Sequence, residues 1–160
     1  SGGVLQHTGG SGFYQYIRHN TKVRAGVYYV EVEARIPTQA NADPQGGPVG
    51  AWNGTSAAGG NQLQTTIWRS GSSGSTGSQR VSRSNNAFPS DVTISGFALD
   101  TWYTLGVLVV GRTIIASRGG TRITSASFAA HEGLSDTIGL VAIQTVDFRN
   151  LRVVGLVHPV

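Results

Sequence analysis

Glu31 and Glu33 are the first residues whose type and spacing suggest chemistry. Two positions apart on an extended strand, they stand roughly 6.6 Å from each other along it, within the span over which glycosidases set a pair of carboxylates. Those pairs face each other across a cleft, one acid protonating the leaving group while the other attacks or activates water. Glu31 and Glu33 would instead stand side by side on one face, so catalysis by this pair is the minor expectation.

A second set is aromatic and cationic. Trp52 and Asn53 border a turn at Asn53-Gly54. Trp68 and Arg69 sit at the base of Ser70 to Ser78, nine residues made only of Ser, Gly and Thr, with Arg80 and Arg83 just beyond. Tyr14 and Tyr16 alternate with Phe13, Gln15 and Ile17 and share a side with Arg18. Aromatic rings stack on the apolar faces of sugars while polar neighbours select the hydroxyls. Trp52, Asn53, Trp68, Arg69, Arg80, Tyr14 and Tyr16 are therefore the candidate ligand-binding residues. The competing readings are tyrosines that close the rim of a core and a serine-glycine loop without function. Trp102 is read as a core residue.

Nothing in the sequence spells a metal or cofactor motif. His7, His19, His131 and His158 are far apart and lack ligand spacing, so they are read as surface or rim residues. Asn41 and Asp43 offer oxygens in a loop, but a hard cation takes six or more. No cofactor and no dedicated metal site are expected.

The elements that must position these residues are strands. Leu99 to Arg118 alternates through Trp102 to Val110, turns at Gly111-Arg112 and returns from Thr113. Because both sides of its first half are apolar, it is expected in mid-sheet with material on each face. Ala25 to Ile36 reads as a strand with Tyr28, Val30, Val32, Ala34 and Ile36 toward a core and Tyr29, Glu31, Glu33 and Arg35 toward solvent or a groove. Val4 to His7, Gly12 to Arg18, Val49 to Trp52, Gln62 to Trp68, Asp91 to Ile94, Thr121 to Ser125, Thr137 to Ala142 and Val146 to Val154 complete the set. Thr38 to Pro48 reads as a loop, Ser70 to Ser78 as a hairpin tip, and Ser127 to Glu132 as one helical turn. The apolar register shifts at Asn150-Leu151, which predicts a bulge.

Composition narrows the class. A chain of 160 residues is sized for a single domain, 1–160, with a real core. Charged residues make up only 12%, glycines number 23, and there is no cysteine, so a disulfide framework and thiol chemistry are excluded. No apolar run approaches the ~20 residues of a membrane-spanning helix. The net charge of +4 comes almost wholly from arginines scattered along the chain, with Lys22 the one lysine. Scattered arginines do not make the basic run that marks nucleic-acid binding, although an acidic partner suits their planar forks. Roughly ten to twelve short strands between turns indicate a sandwich or barrel.

Three stretches resemble the concanavalin A-like, laminin-G-like jelly rolls. They are Trp102-Tyr103-Thr104-Leu105 with its hairpin, Ile138-Gly139-Leu140, and Val146-Asp147-Phe148-Arg149-Asn150-Leu151-Arg152-Val153. Gly26 to Pro37 is similar to an early strand of the same superfamily. The resemblance implies an all-β, two-sheet antiparallel jelly-roll sandwich whose concave surface binds sugars or hydrolyses glucans. The Glu-x-Asp-x-x-Glu motif of the glucanase branch is absent, as is a recognisable calcium-assisted lectin site, which argues against hydrolysis.

The expected function is a non-catalytic carbohydrate-binding or receptor-recognition module. Its partner would be a polysaccharide or cell-surface glycan, with no nucleic acid and no membrane insertion. The composition suggests an extracellular or virion surface, such as a phage tail fibre, spike or capsid decoration. A homo-oligomer, possibly a trimer, is expected. Two alternatives stand beside this: an assembly module without sugar binding, and a glycan-degrading enzyme using Glu31, Glu33 or Asp147.

Overall fold

Alternation governs the architecture. Along Val27–Arg35 every second residue, from Tyr28 through Val30 and Val32 to Ala34, is fully buried, while the residues between are half-buried. That is the pattern of a strand with one face on a core. The computed structural model describes residues 3–8, 15–23, 27–38, 40, 43–52, 62–70, 76–83, 87–111, 113–127 and 136–155.

Twelve strands among the described residues form two antiparallel six-stranded sheets. Sheet I runs in the order β1 (Leu5–Thr8), β12 (Thr145–Gly155), β3 (Val27–Arg35), β8 (Tyr103–Val110), β9 (Thr113–Arg118) and β10 (Thr121–Ser127). Sheet II runs β2 (Gln15–Val23), β11 (Asp136–Ile143), β4 (Gln45–Trp52), β5 (Gln62–Ser70), β6 (Thr76–Arg83) and β7 (Ala87–Ile94). Neighbours in each sheet are often distant in sequence, so the sheets interleave along the chain. No helix occurs among the described residues.

The inner faces of the two sheets meet in an aliphatic core. Val32, Ala34, Leu105, Val146 and Phe148 from sheet I pack with Ile67, Ile94, Leu140 and Ala142 from sheet II. A second cluster joins Val30, Val107, Val109, Ile114 and Ala116 to Leu63, Val81 and Ile138, with Tyr28 among them. Each fully buried aliphatic side chain contributes about 1.5–3 kcal/mol. The layers approach most closely at β4. A Cβ on Gly46 would fall 2.8 Å from Val146, and one on Gly50 would fall 2.9 Å from Val107 and Val109. The two layers are also tied by polar bonds. Tyr28 donates to the Gly50 carbonyl at 2.6 Å, and Gln79 donates to the Ser117 carbonyl at 3.0 Å.

The central hairpin forms as expected, β8 pairing with β9 from Val110 opposite Thr113 to Leu105 opposite Arg118. The bulge expected at Asn150-Leu151 is present: the register of β12 against β3 shifts between Arg149 and Arg152, and Asn150 takes a left-handed φ of 55°. Two expectations change. β4 begins at Gln45, inside the stretch read as a loop. Glycine and proline signal a turn locally, but here Gly46 is the residue that lets β4 nest against sheet I. The helical turn expected at Ser127 to Glu132 is strand at Ser127, and 128–132 lie outside the described residues.

The side taken by Trp102 is a further change. Leu105, Val107 and Val109 point inward, so by period two the Trp102 side of the hairpin points outward. The indole is half-buried on the outer face of sheet I, with the guanidiniums of Arg35 and Arg149 at 4.8 and 4.1 Å from its ring centre.

Candidate functional site

Two of the candidate residues, Trp68 and Arg80, meet on sheet II, on the face turned away from sheet I. Along β5, Leu63 and Ile67 enter the core, so Gln64, Thr66 and Trp68 point outward. The register places Thr66 opposite Arg80 of β6 and Trp68 opposite Gln45 of β4 and Ser78 of β6. Arg80 lies diagonally across from Trp68, and its guanidinium carbon sits 3.3 Å from the ring centre. At that distance the cation sits against the negative face of the ring.

Beside this pair lies a polar floor. Gln45 donates to Thr66 Oγ1 at 2.6 Å. Gln64 is 0% exposed, and neither its amide nitrogen nor its amide oxygen has a hydrogen-bond partner among the described residues; the same is true of Ser78 Oγ. A buried amide without partners costs about 1–3 kcal/mol.

The other candidates divide. Arg69 follows Trp68 directly and so points to the opposite face: it is buried between the layers and donates to the Ala40 carbonyl at 3.1 Å. Trp52 ends β4, in register with Gln62 and Thr137, and Tyr16 lies in β2 opposite Val141. The side chains of Trp52 and Tyr16, together with Tyr14 and Asn53, lie outside the described residues. Gln45, Gln64 and Ser78 were not among the sequence candidates. The signal for Gln64 was the alternation Gln62, Gln64, Thr66, Trp68, a polar set ending in an aromatic; Gln45 and Ser78 join it only through the register of β4 and β6.

The acids lie on the outer face of sheet I, where a row of paired charges crosses β3 and β12. Arg35 donates through Nε and Nη2 to Asp147 Oδ2 at 2.9 and 2.6 Å, and Asp147 is almost fully buried. Arg149 donates to Glu33 at 2.5 Å, and the Asn150 amide donates to the same carboxylate at 3.1 Å. The Asn150 bond, then Arg149, holds the Glu33 carboxyl below the usual glutamate range. Glu31 accepts from the Tyr29 hydroxyl at 2.7 Å, and that hydroxyl also bonds Ser117 Oγ at 3.1 Å. Burial, with Glu31 behind it, pushes the Tyr29 phenol up from its ordinary value. Glu31 and Glu33 therefore stand side by side, each engaged with its own partners. No group of three or more metal-ligating side chains occurs among the described residues.

No family profile and no curated protein matches the sequence. Solved structures do resemble it. Carbohydrate-binding module CBM66 from Bacillus subtilis superposes with a TM-score of 0.69 at 12% identity, covering 92% of this chain and 84% of that one. The fold is a concanavalin A-like jelly roll. Sheep galectin-11 matches this jelly roll at a TM-score of 0.50 and 12% identity, over 89% of this chain and 96% of that one. A family 7 alginate lyase solved with substrate gives 0.60 at 14% identity, over 99% and 79% of the two chains. Identities this low establish the jelly roll, and they span binding modules and enzymes alike.

Proposed function

We propose that this jelly roll is a non-catalytic carbohydrate-binding module whose ligand lies on the outer face of sheet II. The observation that carries the reading is the contact of the Arg80 guanidinium with the half-buried Trp68 ring on that outer face. An aromatic platform accepts the C–H face of a sugar ring, and polar side chains around it select the hydroxyls. Two of the similar structures, a carbohydrate-binding module and a galectin, carry names that agree with this reading. A Gly-, Ser- and Thr-rich chain without cysteine suits an extracellular or virion surface as the module's setting.

Likeness to an alginate lyase favours one alternative, a glycan-degrading enzyme. Against it stands the occupancy of the acids: Asp147 is buried under Arg35, and Glu33 is held by Arg149 and Asn150. A glycan array followed by calorimetry of the best ligand tests both. Binding that falls about tenfold or more in Trp68→Ala, with the far-ultraviolet spectrum unchanged, supports the module. Equal binding by Trp68→Ala and wild type overturns the assigned face. Reducing ends or unsaturated sugars accumulating from any array hit, and lost in Glu31→Gln, replace the module by the enzyme.

A further inference from the structure

Each sheet carries a tryptophan on its outer face, and guanidiniums meet both rings. On sheet II it is Trp68 with Arg80; on sheet I it is Trp102, with Arg149 at 4.1 Å and Arg35 at 4.8 Å from the ring centre. Strand register builds the second set. Ala34 lies opposite Tyr103 and Asp147 opposite Arg35, so Asp147, Arg35 and Trp102 form one row across β12, β3 and the start of β8. Arg149, opposite Glu33, stands in the next row. Leu105 and Val107 enter the core, whereas Trp102 lies on the other side and keeps part of its surface open.

The arginines around Trp102 have donors to spare. Arg149 gives Nε to Glu33, and Arg35 gives Nε and Nη2 to Asp147. Among the described residues no acceptor meets Arg35 Nη1 or either terminal nitrogen of Arg149, and the two side chains are 32 and 37% exposed. A partly open ring bordered by N–H groups suits the C–H face of a sugar and the oxygens around it. Charge decides the kind of sugar. The carboxylates of Asp147 and Glu33 match the two cations, so these four groups carry no net charge and give an acidic saccharide no electrostatic gain.

Resting on the sugar-binding reading of Trp68, we propose that Trp102, Arg35 and Arg149 form a second platform, for an uncharged saccharide, and that the module is bivalent. The two platforms face away from each other across layers about 10 Å apart. A short oligosaccharide therefore reaches one of them only, while polymer chains held on opposite faces are bridged by the protein. The ion pairs to Asp147 and Glu33 hold the guanidiniums that flank the Trp102 ring, so the second platform is built before any sugar arrives.

Calorimetric titration of the full chain, and of its Trp68→Ala and Trp102→Ala variants, with cellotetraose, laminaritetraose, xylotetraose and mannotetraose is the test. At least one of these sugars is expected to bind with two equivalents per wild-type chain and one per chain of either variant. The parent polysaccharide should be aggregated by the wild type and by neither variant. One equivalent in the wild type, lost in Trp68→Ala and kept in Trp102→Ala, overturns the second platform and leaves the first intact. The reverse pattern overturns the face assigned to Trp68 and bivalency with it. Failure of every tetrasaccharide to bind any form overturns both readings together. Tetramannuronate binding Trp68→Ala more tightly than the neutral sugars do overturns the uncharged class. Should Trp102→Ala fail to fold, the Trp102 indole proton resonance in Trp68→Ala decides: a shift that saturates with added sugar supports the platform, and an unmoved resonance overturns it.

Discussion

The Arg80 guanidinium lies over the Trp68 ring, its carbon 3.3 Å from the ring centre. Planarity, more than charge, defines that contact, because a lysine ammonium is a point charge on a flexible stem. Arg80→Lys keeps the charge and loses the plane. It is expected to weaken glycan binding by about 1 kcal/mol, close to the effect of Arg80→Met, in calorimetric titration. If Arg80→Lys binds as wild type does while Arg80→Met does not, the charge alone is what the ligand uses.

Gly106 is the seat of the Tyr29 hydroxyl. A Cβ there would fall 2.0 Å from that oxygen and 2.5 Å from Ser117 Oγ. Gly106→Ala is expected to cost about 1–3 kcal/mol in urea unfolding, through displacement of Tyr29 and loss of its bonds to Glu31 and Ser117. Combined with Tyr29→Ala, the two losses should sum to less than their separate values. Full additivity would mean that the alanine methyl is accommodated without moving the ring.

Acid and alkali should each weaken sheet I, through different groups. The folded Glu33 carboxyl lies below its ordinary 4.5. Its contribution is therefore complete above about pH 4.5 and is lost as pH falls through the folded value. Glu33→Gln should lower stability at neutral pH and flatten the acid limb of the stability profile.

The Tyr29 phenol lies above its ordinary 10.0, so its contribution is complete below about pH 10 and is lost as pH rises through the folded value. Ultraviolet difference titration should show one tyrosine ionising late. Tyr29→Phe should remove that component together with part of the alkaline loss of stability.

The bulge at Asn150 makes a third demand on sheet I. With φ at 55° and an amide bonded to Glu33, this position favours a residue that tolerates the left-handed region and reaches the carboxylate. Asn150→Ala should cost about 1–2 kcal/mol in thermal or urea unfolding. Asn150→Gly should cost less, since it keeps the backbone and loses only the bond. Equal costs would assign the whole effect to the hydrogen bond.

What could be read from the sequence was whatever local alternation determines. The β8–β9 hairpin, the inward set of β3 and the shift at Asn150-Leu151 follow from period two and its interruption. The outward fate of Trp102 did not, because both sides of its strand read as apolar and alternation assigns parity without saying which parity faces the core. The first half of β4 was hidden for another reason. Gln45-Gly46-Gly47-Pro48 carries turn residues, and their value here is the space Gly46 leaves for Val146 and Phe148, residues about a hundred positions away. In the candidate site, Trp68 and Arg80 were legible as types near a loop. Their stacking depends on the β5–β6 register, and the assignment of Arg69 to the opposite face depends on knowing which side of β5 is the interior.

The two inward glycines of β4 reach beyond packing. Since Gly46 and Gly50 contribute no side chain to the gap, the backbone of β4 rests on Val107, Val109, Val146 and Phe148 as on a bench. The other side of that same strand carries Gln45, which braces Thr66 and lies in register with Trp68. An inward displacement of β4 at these two glycines would therefore meet the side chains of the opposite layer at once.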